Sequence, residues 1–97
     1  MKKELTYRYT KAQNKEVAFS LAKSVLKDAE SNGSFPVSVN FSVDDEFFII
    51  SGKGKGFEVK LSFEENDLDI SMDLSFVLKP LKRKILSKIE QELSRRI

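Results

Sequence analysis

Alternating runs of apolar and polar residues between positions 35 and 74 constrain the fold of this chain more than any other feature. Three of them carry an apolar residue at every second position and read FPVSVNFSV, GFEVKLSF and LDISMDL, whereas a fourth, FFIIS, is apolar on both faces. A period of two predicts β-strands. The polar links DDE, residues 44–46, and EEND, residues 64–67, are far shorter than the crossover that parallel neighbours need. The region is therefore predicted to form an antiparallel meander.

A strand and a helix are predicted before the meander. In LTYRYT, Leu5, Tyr7 and Tyr9 share one face of a short strand. The following TKAQ has the spacing of a capping box, which would start a helix at Thr10, and Gly33 is the expected left-handed residue beyond its end. The apolar stripe of this helix is predicted to comprise Val17, Leu21, Val25 and Ala29, with Ala18, Ala22 and Leu26 beside them.

A second helix is predicted after the meander, in SFVLKPLKRKILSKIEQELSRRI. Ser75 is the expected N-cap, and Pro80 is expected in the first turn, where its missing N–H costs little. The apolar positions that recur every four residues are Leu81, Ile85, Ile89 and Leu93. The element order is then β-α-β-β-β-β-α, and we expect one α+β domain over residues 1–97, with both helices on one face of an antiparallel sheet.

The stretch SGKGKG, residues 51–56, raises the question of a phosphate-binding loop. Such a loop needs a helix directly after it, because the helix N-terminus supplies the converging amides. Here the residues after Gly56 alternate as a strand does, and neither a Walker nor a Rossmann spacing is present. We therefore expect the glycines to form a hairpin turn that carries solvated Lys53 and Lys55.

The composition removes several kinds of chemistry. The chain has no histidine and no cysteine, so the commonest general base and the commonest metal ligands are missing. Asp69 and Asp73, beside Ser71, could form a divalent-ion patch, but a solvated sheet face is favoured because no closed ligand set accompanies them. A Ser–Lys pair is the remaining nucleophilic arrangement. We expect no enzymatic activity, metal or cofactor.

The location of the protein is predicted from what its N-terminus and apolar runs contain. Two lysines near the N-terminus are followed by no apolar stretch, and no stretch approaches the ~18 apolar residues of a membrane span. The chain also lacks cysteine, which suits a reducing compartment. We therefore expect a cytoplasmic protein with no transmembrane segment.

A candidate partner surface comes from the unbroken apolar run at residues 47–50. If one face of the sheet is open, Phe48 and Ile50 would lie on it, and exposed large apolar side chains often mark a partner surface. A homodimer packed sheet on sheet or edge on edge would cover them, and so would a loop over a central strand. The basic residues Lys79, Lys82 and Arg83 are candidates for the same kind of role.

Nucleic-acid binding is the alternative function, because the chain has a net charge of +2 and a dense basic run, KPLKRK. The residues that would contact phosphates are Lys53, Lys55, Lys79, Lys82, Arg83 and Arg96. A solvated outer helix face explains the same run, and the tyrosines that could stack on bases alternate with Leu5 as core residues do.

The stretch GFEVKLSFEENDLDISMDLSFVLKPLKRKI resembles the polyhydroxyalkanoic acid system family, also called the polyhydroxyalkanoate granule-region family. In that family the junction between the last strand and the helix often reads Leu-Gly-Phe-Leu-Leu; Leu74, Phe76 and Leu78 match it, Ser75 replaces the glycine, and Pro80 departs from the pattern. The resemblance implies a small cytoplasmic accessory domain linked to storage-polyester granules, without catalytic residues that could be carried over. Together with the missing catalytic residues and the apolar run at residues 47–50, it predicts a non-catalytic domain that binds a hydrophobic granule surface, an apolar ligand or a protein partner.

Overall fold

A computed structural model describes residues 2–33 and 35–97 and shows the predicted order β-α-β-β-β-β-α. The strands are β1 Lys2–Arg8, β2 Asn40–Asp44, β3 Ile49–Gly54, β4 Phe57–Phe63 and β5 Asp67–Leu74. The helices are α1 Lys15–Ser31, a 3-10 helix Phe76–Leu81 and α2 Lys82–Ser94. The α+β fold class is confirmed.

The five strands form one sheet in the order β1-β5-β4-β3-β2, and every neighbouring pair is antiparallel. Strands β2 to β5 are thus the predicted meander, and β1 pairs with the free edge of β5. The shift in pairing between Lys3 and Leu5 leaves Glu4 in a β-bulge, which re-aims its side chain. This bulge is one of the features that position the candidate site.

The core lies between the sheet and both helices. Alternate residues of β4 and β5 are buried, as their period of two predicts. The buried residues of these two strands are Phe57, Val59, Leu61, Phe63, Leu68, Ile70 and Met72. Residues of α1 and α2 belong to the same cluster, among them Leu26, Ile85 and Ile89, so both helices cover one face of the sheet.

The opposite sheet face is polar and half-exposed. Its paired positions include Thr6 with Asp69, and Ser62 with Asp69 across β4 and β5. Asp69 accepts a hydrogen bond from the Thr6 hydroxyl at 3.0 Å, and Lys3 Nζ lies 3.7 Å from its carboxylate. Asp69 therefore links polar side chains of β1 and β5 on this face.

The predicted start of the first helix is wrong. Asn14 is the N-cap, and its Oδ1 accepts from the Val17 N–H at 3.0 Å. The N–H groups of Thr10, Lys11 and Ala12 instead donate to a backbone oxygen of Ile97 at 2.7, 2.8 and 3.2 Å. A contact between distant parts of the chain thus satisfies the amides that a helical turn would have used.

The predicted apolar stripe of α1 is only partly right. Ala18, Ala22, Val25, Leu26 and Ala29 are buried, but Leu21 is half-exposed and Val17 is 38% exposed. Phe19, which the four-residue repeat left out, is buried instead. Its ring meets the rings of Phe48 and Phe63 edge-to-face, at 5.2 and 5.5 Å between centroids. Because the Phe19 ring packs against two other rings, the buried face of the helix is rotated from the predicted one, so that it includes Phe19 and leaves Val17 exposed.

The second and third strands start later than predicted. Residues 35–39 lie outside β2, and Phe47 and Phe48 belong to the turn before β3. The Asp44 carboxylate accepts from the N–H groups of Glu46 and Phe47 at 3.1 and 3.2 Å, and Phe48 has a positive φ of 55°. This turn sets the register of β3 so that Ile50 faces the core and is fully buried. The expectation that Ile50 lies on the open face is wrong.

The segment after β5 also differs from the prediction. Ser75 precedes the 3-10 helix rather than α2, and Pro80 lies inside that 3-10 helix. The α-helix begins at Lys82, two residues after the proline. Gly33 has the expected positive φ, at 63°.

Candidate interaction surface

The 3-10 helix exposes two large apolar side chains to solvent. Phe76 is 86% exposed and Val77 is 81% exposed. A 3-10 helix has three residues per turn, so side chains three apart lie on the same side. Leu78 and Leu81 share the side that packs against the core, whereas Phe76 and Val77 point away from it. We call Phe76 and Val77 the apolar corner.

A backbone contact holds this corner beside the β3–β4 hairpin. The Ser75 N–H donates to the Gly56 carbonyl at 2.8 Å, and the N–H groups of Leu78 and Lys79 donate to the Ser75 carbonyl at 3.0 and 3.1 Å. The hairpin turn consists of Lys55 and Gly56, and Gly56 has a φ of 73°. The predicted turn is only partly right, because Gly52, Lys53 and Gly54 belong to β3. Lys55 in the turn and Lys53 near the end of β3 therefore lie at the same end of the sheet as the apolar corner.

Basic residues cluster at this end, which we call the basic end. The chain carries no acidic residue from position 74 to 89, but five basic ones. These are Lys79, Lys82, Arg83, Lys84 and Lys88. Lys82 Nζ lies 2.7 Å from the carboxylate of Glu4 in the β1 bulge, and Lys53 Nζ lies 3.8 Å from that of Glu58. Among the described residues, Lys55, Lys79, Arg83 and Lys84 form no ion pair.

Acidic residues cluster at the opposite end of the sheet, the acidic end. In an antiparallel sheet the β2–β3 and β4–β5 turns lie together, away from the β3–β4 turn. These two turns and their strand ends carry Asp44, Asp45, Glu46, Glu64, Glu65 and Asp67. Lys23 pairs with Asp45 at 3.0 Å, and Arg8 is opposite Asp67. The ends of the molecule therefore differ in charge.

The structure separates the residues of the predicted partner surface. Phe48 is half-buried at the acidic end, with Lys15 Nζ 4.8 Å from its ring centroid. Lys79, Lys82 and Arg83 lie at the basic end. The five candidate residues, including buried Ile50, do not form one surface. Arg96 lines a surface groove with Glu92 and the end of α1, apart from the other predicted phosphate contacts.

The exposure of Phe76 and Val77 was not predicted from the sequence. Phe76 lies off the four-residue repeat that runs through Leu81 and Ile85, but Val77 falls on it, so the repeat predicts that Val77 is buried. The signal that bears on both residues is Pro80, which favours a local break ahead of the α-helix. Such a break indicates a short separate turn in which the helical repeat does not continue.

Two shallow grooves flank the apolar corner. One of 440 Å³ is lined by the hairpin and by Asp73, Leu74 and Ser75. The other, of 320 Å³, is lined by residues that include Glu4, Leu74 and Lys79. Both are open to solvent, and both lie at the basic end.

The described residues contain no group of three or more His, Cys, Asp or Glu side chains arranged to hold a metal ion. At the acidic end, the Tyr9 hydroxyl donates to the Glu64 carbonyl at 2.7 Å. Burial raises the pKa of this hydroxyl above its ordinary value, and the carboxylates of Asp67 and Glu64 raise it further. Tyr9 therefore anchors the β4–β5 turn as a neutral phenol.

Comparisons with known proteins add no assignment, since neither the protein-family models, nor the curated proteins, nor the solved structures gave a match to this chain. No helix in the described part of the chain is long and apolar enough to cross a membrane.

Proposed function

We propose that this chain is a non-catalytic accessory domain that binds an apolar surface through Phe76 and Val77. The observation that carries the proposal is the exposure of these two neighbours, at 86% and 81%. Full burial of each side chain would contribute about 1.5–3 kcal/mol. The fold holds them outward through the Leu78 and Leu81 contacts with the core, so the exposure is built into the 3-10 helix.

A storage-polyester granule is the surface named by the resemblance to the polyhydroxyalkanoic acid system family. A granule presents a broad apolar face, which suits side chains that protrude rather than line a deep cavity. Phe76, part of the Leu74, Phe76 and Leu78 match, belongs to both the resemblance and the apolar corner. The granule as the partner is taken from this resemblance, and the cytoplasmic location is expected both from the resemblance and from the absence of cysteine.

Nucleic-acid binding is the second candidate, favoured by the basic residues around the corner. Stacking on bases uses several exposed aromatic rings along a basic groove. At the basic end Phe76 is the one exposed aromatic ring among the described residues, because Phe57 is buried and Phe47 lies at the acidic end. An apolar surface therefore fits this end better.

The test is co-sedimentation with polyhydroxybutyrate particles. The double variant Phe76→Ser/Val77→Ser should bind at least about tenfold more weakly than the parent chain, which corresponds to about 1.4 kcal/mol. The matched control is Val17→Ser/Phe47→Ser, which removes the same two side-chain types from exposed positions away from the corner. The control should bind as the parent does.

Two results would contradict the proposal. Equal binding by both double variants would show that the corner does not contact the particles. A parent chain that sediments as a dimer, and becomes a monomer only in Phe76→Ser/Val77→Ser, would show that the corner joins two copies instead. Circular dichroism establishes that each variant is folded before binding is compared.

A further inference from the structure

We infer that the surface bound by the apolar corner is an anionic lipid–water interface, with the basic end facing the lipid headgroups. This inference rests on the proposed function and adds the charge of the partner to it. Its basis is that the two most exposed apolar side chains and the unpaired cations lie at the same end of the molecule.

On the 3-10 helix, an exposed apolar side chain and a lysine share one side. Phe76 and Lys79 are three residues apart, as are Val77 and Pro80, so each pair lies on one side of the helix. Lys79 therefore lies beside Phe76 on the exposed side. Lysine can keep its ammonium group among headgroups while its methylene chain covers apolar surface, so the pair suits a shallow interface.

Positive charge is in excess beside the apolar corner. Lys79, Arg83 and Lys84 follow the apolar corner directly, and Lys55 lies beside it across the contact between Gly56 and Ser75. The acids of the strands at this end are Glu4, Glu58 and Asp73, of which Glu4 and Glu58 are already matched by Lys82 and Lys53. Glu30, near the end of α1, lies 3.9 Å from Lys27 Nζ. The remaining charge is positive, which is the complement of an anionic surface.

The distance between the two ends allows a charged surface to orient the molecule. The acidic turns lie at the far end of β4, which spans seven residues, or about 20 Å at the usual rise per residue. A negative surface attracts one end and repels the other. The charge separation therefore orients the molecule with Phe76 and Val77 towards the lipid.

The binding mode is peripheral. A pair of apolar side chains and a few cations suit adsorption at the interface, and each lysine or arginine near an anionic membrane strengthens binding about fivefold. This strengthening is screened by salt, because its range is the Debye length.

The experiment is flotation with vesicles of phosphatidylcholine alone and with vesicles of phosphatidylcholine and phosphatidylglycerol in equal amounts. We expect the parent chain to bind the anionic vesicles at least about tenfold more tightly, and this preference to shrink as salt is raised. Lys79→Gln/Arg83→Gln/Lys84→Gln should weaken anionic binding about 100-fold. The matched control Arg8→Gln/Lys60→Gln/Arg96→Gln has the same net charge but changes residues elsewhere, and it should retain most of the binding.

The outcomes separate this inference from the proposed function. Equal binding to neutral and anionic vesicles would overturn the inference, while polyester binding that still needs Phe76 and Val77 would leave the proposed function standing. If neither double variant loses polyester binding, both the inference and the proposed function are overturned. Tighter binding to a single-stranded oligonucleotide than to anionic vesicles, retained in Phe76→Ser/Val77→Ser, would replace the lipid with a nucleic acid.

Discussion

At the scale of single residues, Gly56 connects the hairpin to the apolar corner. Its φ of 73° turns its carbonyl towards the Ser75 N–H. The position that a Cβ would occupy lies against Ser75 and Leu78. A Cβ at this position would lie 2.7 Å from Ser75 Oγ and 3.1 Å from Ser75 Cβ. Glycine is therefore required both by the backbone conformation and by the close approach of the next segment.

Alanine substitutions at two glycines separate these two requirements. Gly33 also has a positive φ, 63°, but a Cβ there would meet nothing within 4 Å. Gly33→Ala should lower the free energy of unfolding by about 1–2 kcal/mol, which is the cost of the left-handed conformation. Gly56→Ala should lower it further, because Ser75 must also move. Urea unfolding of both variants measures the difference, and equal losses would contradict the contact with Ser75.

At the scale of elements, the strands could be predicted well because their signal is local. A period of two with one buried face is set within each strand, and β4 and β5 follow it throughout. The first helix and the starts of the second and third strands could not be placed as accurately. Thr10 has the right spacing for a cap, but its amide is taken by Ile97, which is 87 positions away in the chain. No local pattern carries that information.

The candidate site was harder to predict than the fold. The FFII run looks like an exposed apolar patch, yet the left-handed Phe48 and the Asp44 turn send Ile50 into the core. The exposed pair was instead Phe76 and Val77, where Pro80 and the 3-10 helix interrupt the helical repeat. Burial depends on the register that each turn imposes, and composition alone does not fix that register.

The start of α1 gives a prediction at this scale. Asn14→Ala should lower the free energy of unfolding by about 1 kcal/mol, because it removes the acceptor of the Val17 N–H. Thr10→Ala should change it by less than about 0.5 kcal/mol, since the backbone amide of residue 10 still donates to Ile97. Thermal unfolding of the two variants compares them, and a larger loss for Thr10→Ala would restore the capping box as the start of the helix.

At the scale of the whole molecule, topology produces the difference between the two ends. The β2–β3 and β4–β5 turns carry the acidic links, whereas the β3–β4 turn carries Lys55 and follows Lys53, so an antiparallel meander places opposite charges at opposite ends. The first residues after β5 then place the apolar corner at the basic end. The apolar corner and the basic charge thus lie at one end of the molecule because of the same strand order.

Tryptophan fluorescence tests most directly whether the apolar corner meets the bound surface. The chain has no tryptophan, so Phe76→Trp introduces a single reporter at the corner, and Phe47→Trp introduces one at the acidic end. On addition of polyester particles or anionic vesicles, we expect the emission of the Phe76→Trp variant to shift to shorter wavelength, because the indole leaves water. The emission of Phe47→Trp should stay unchanged. Binding that shifts the Phe47→Trp emission and leaves that of Phe76→Trp unchanged would show that the opposite end makes the contact.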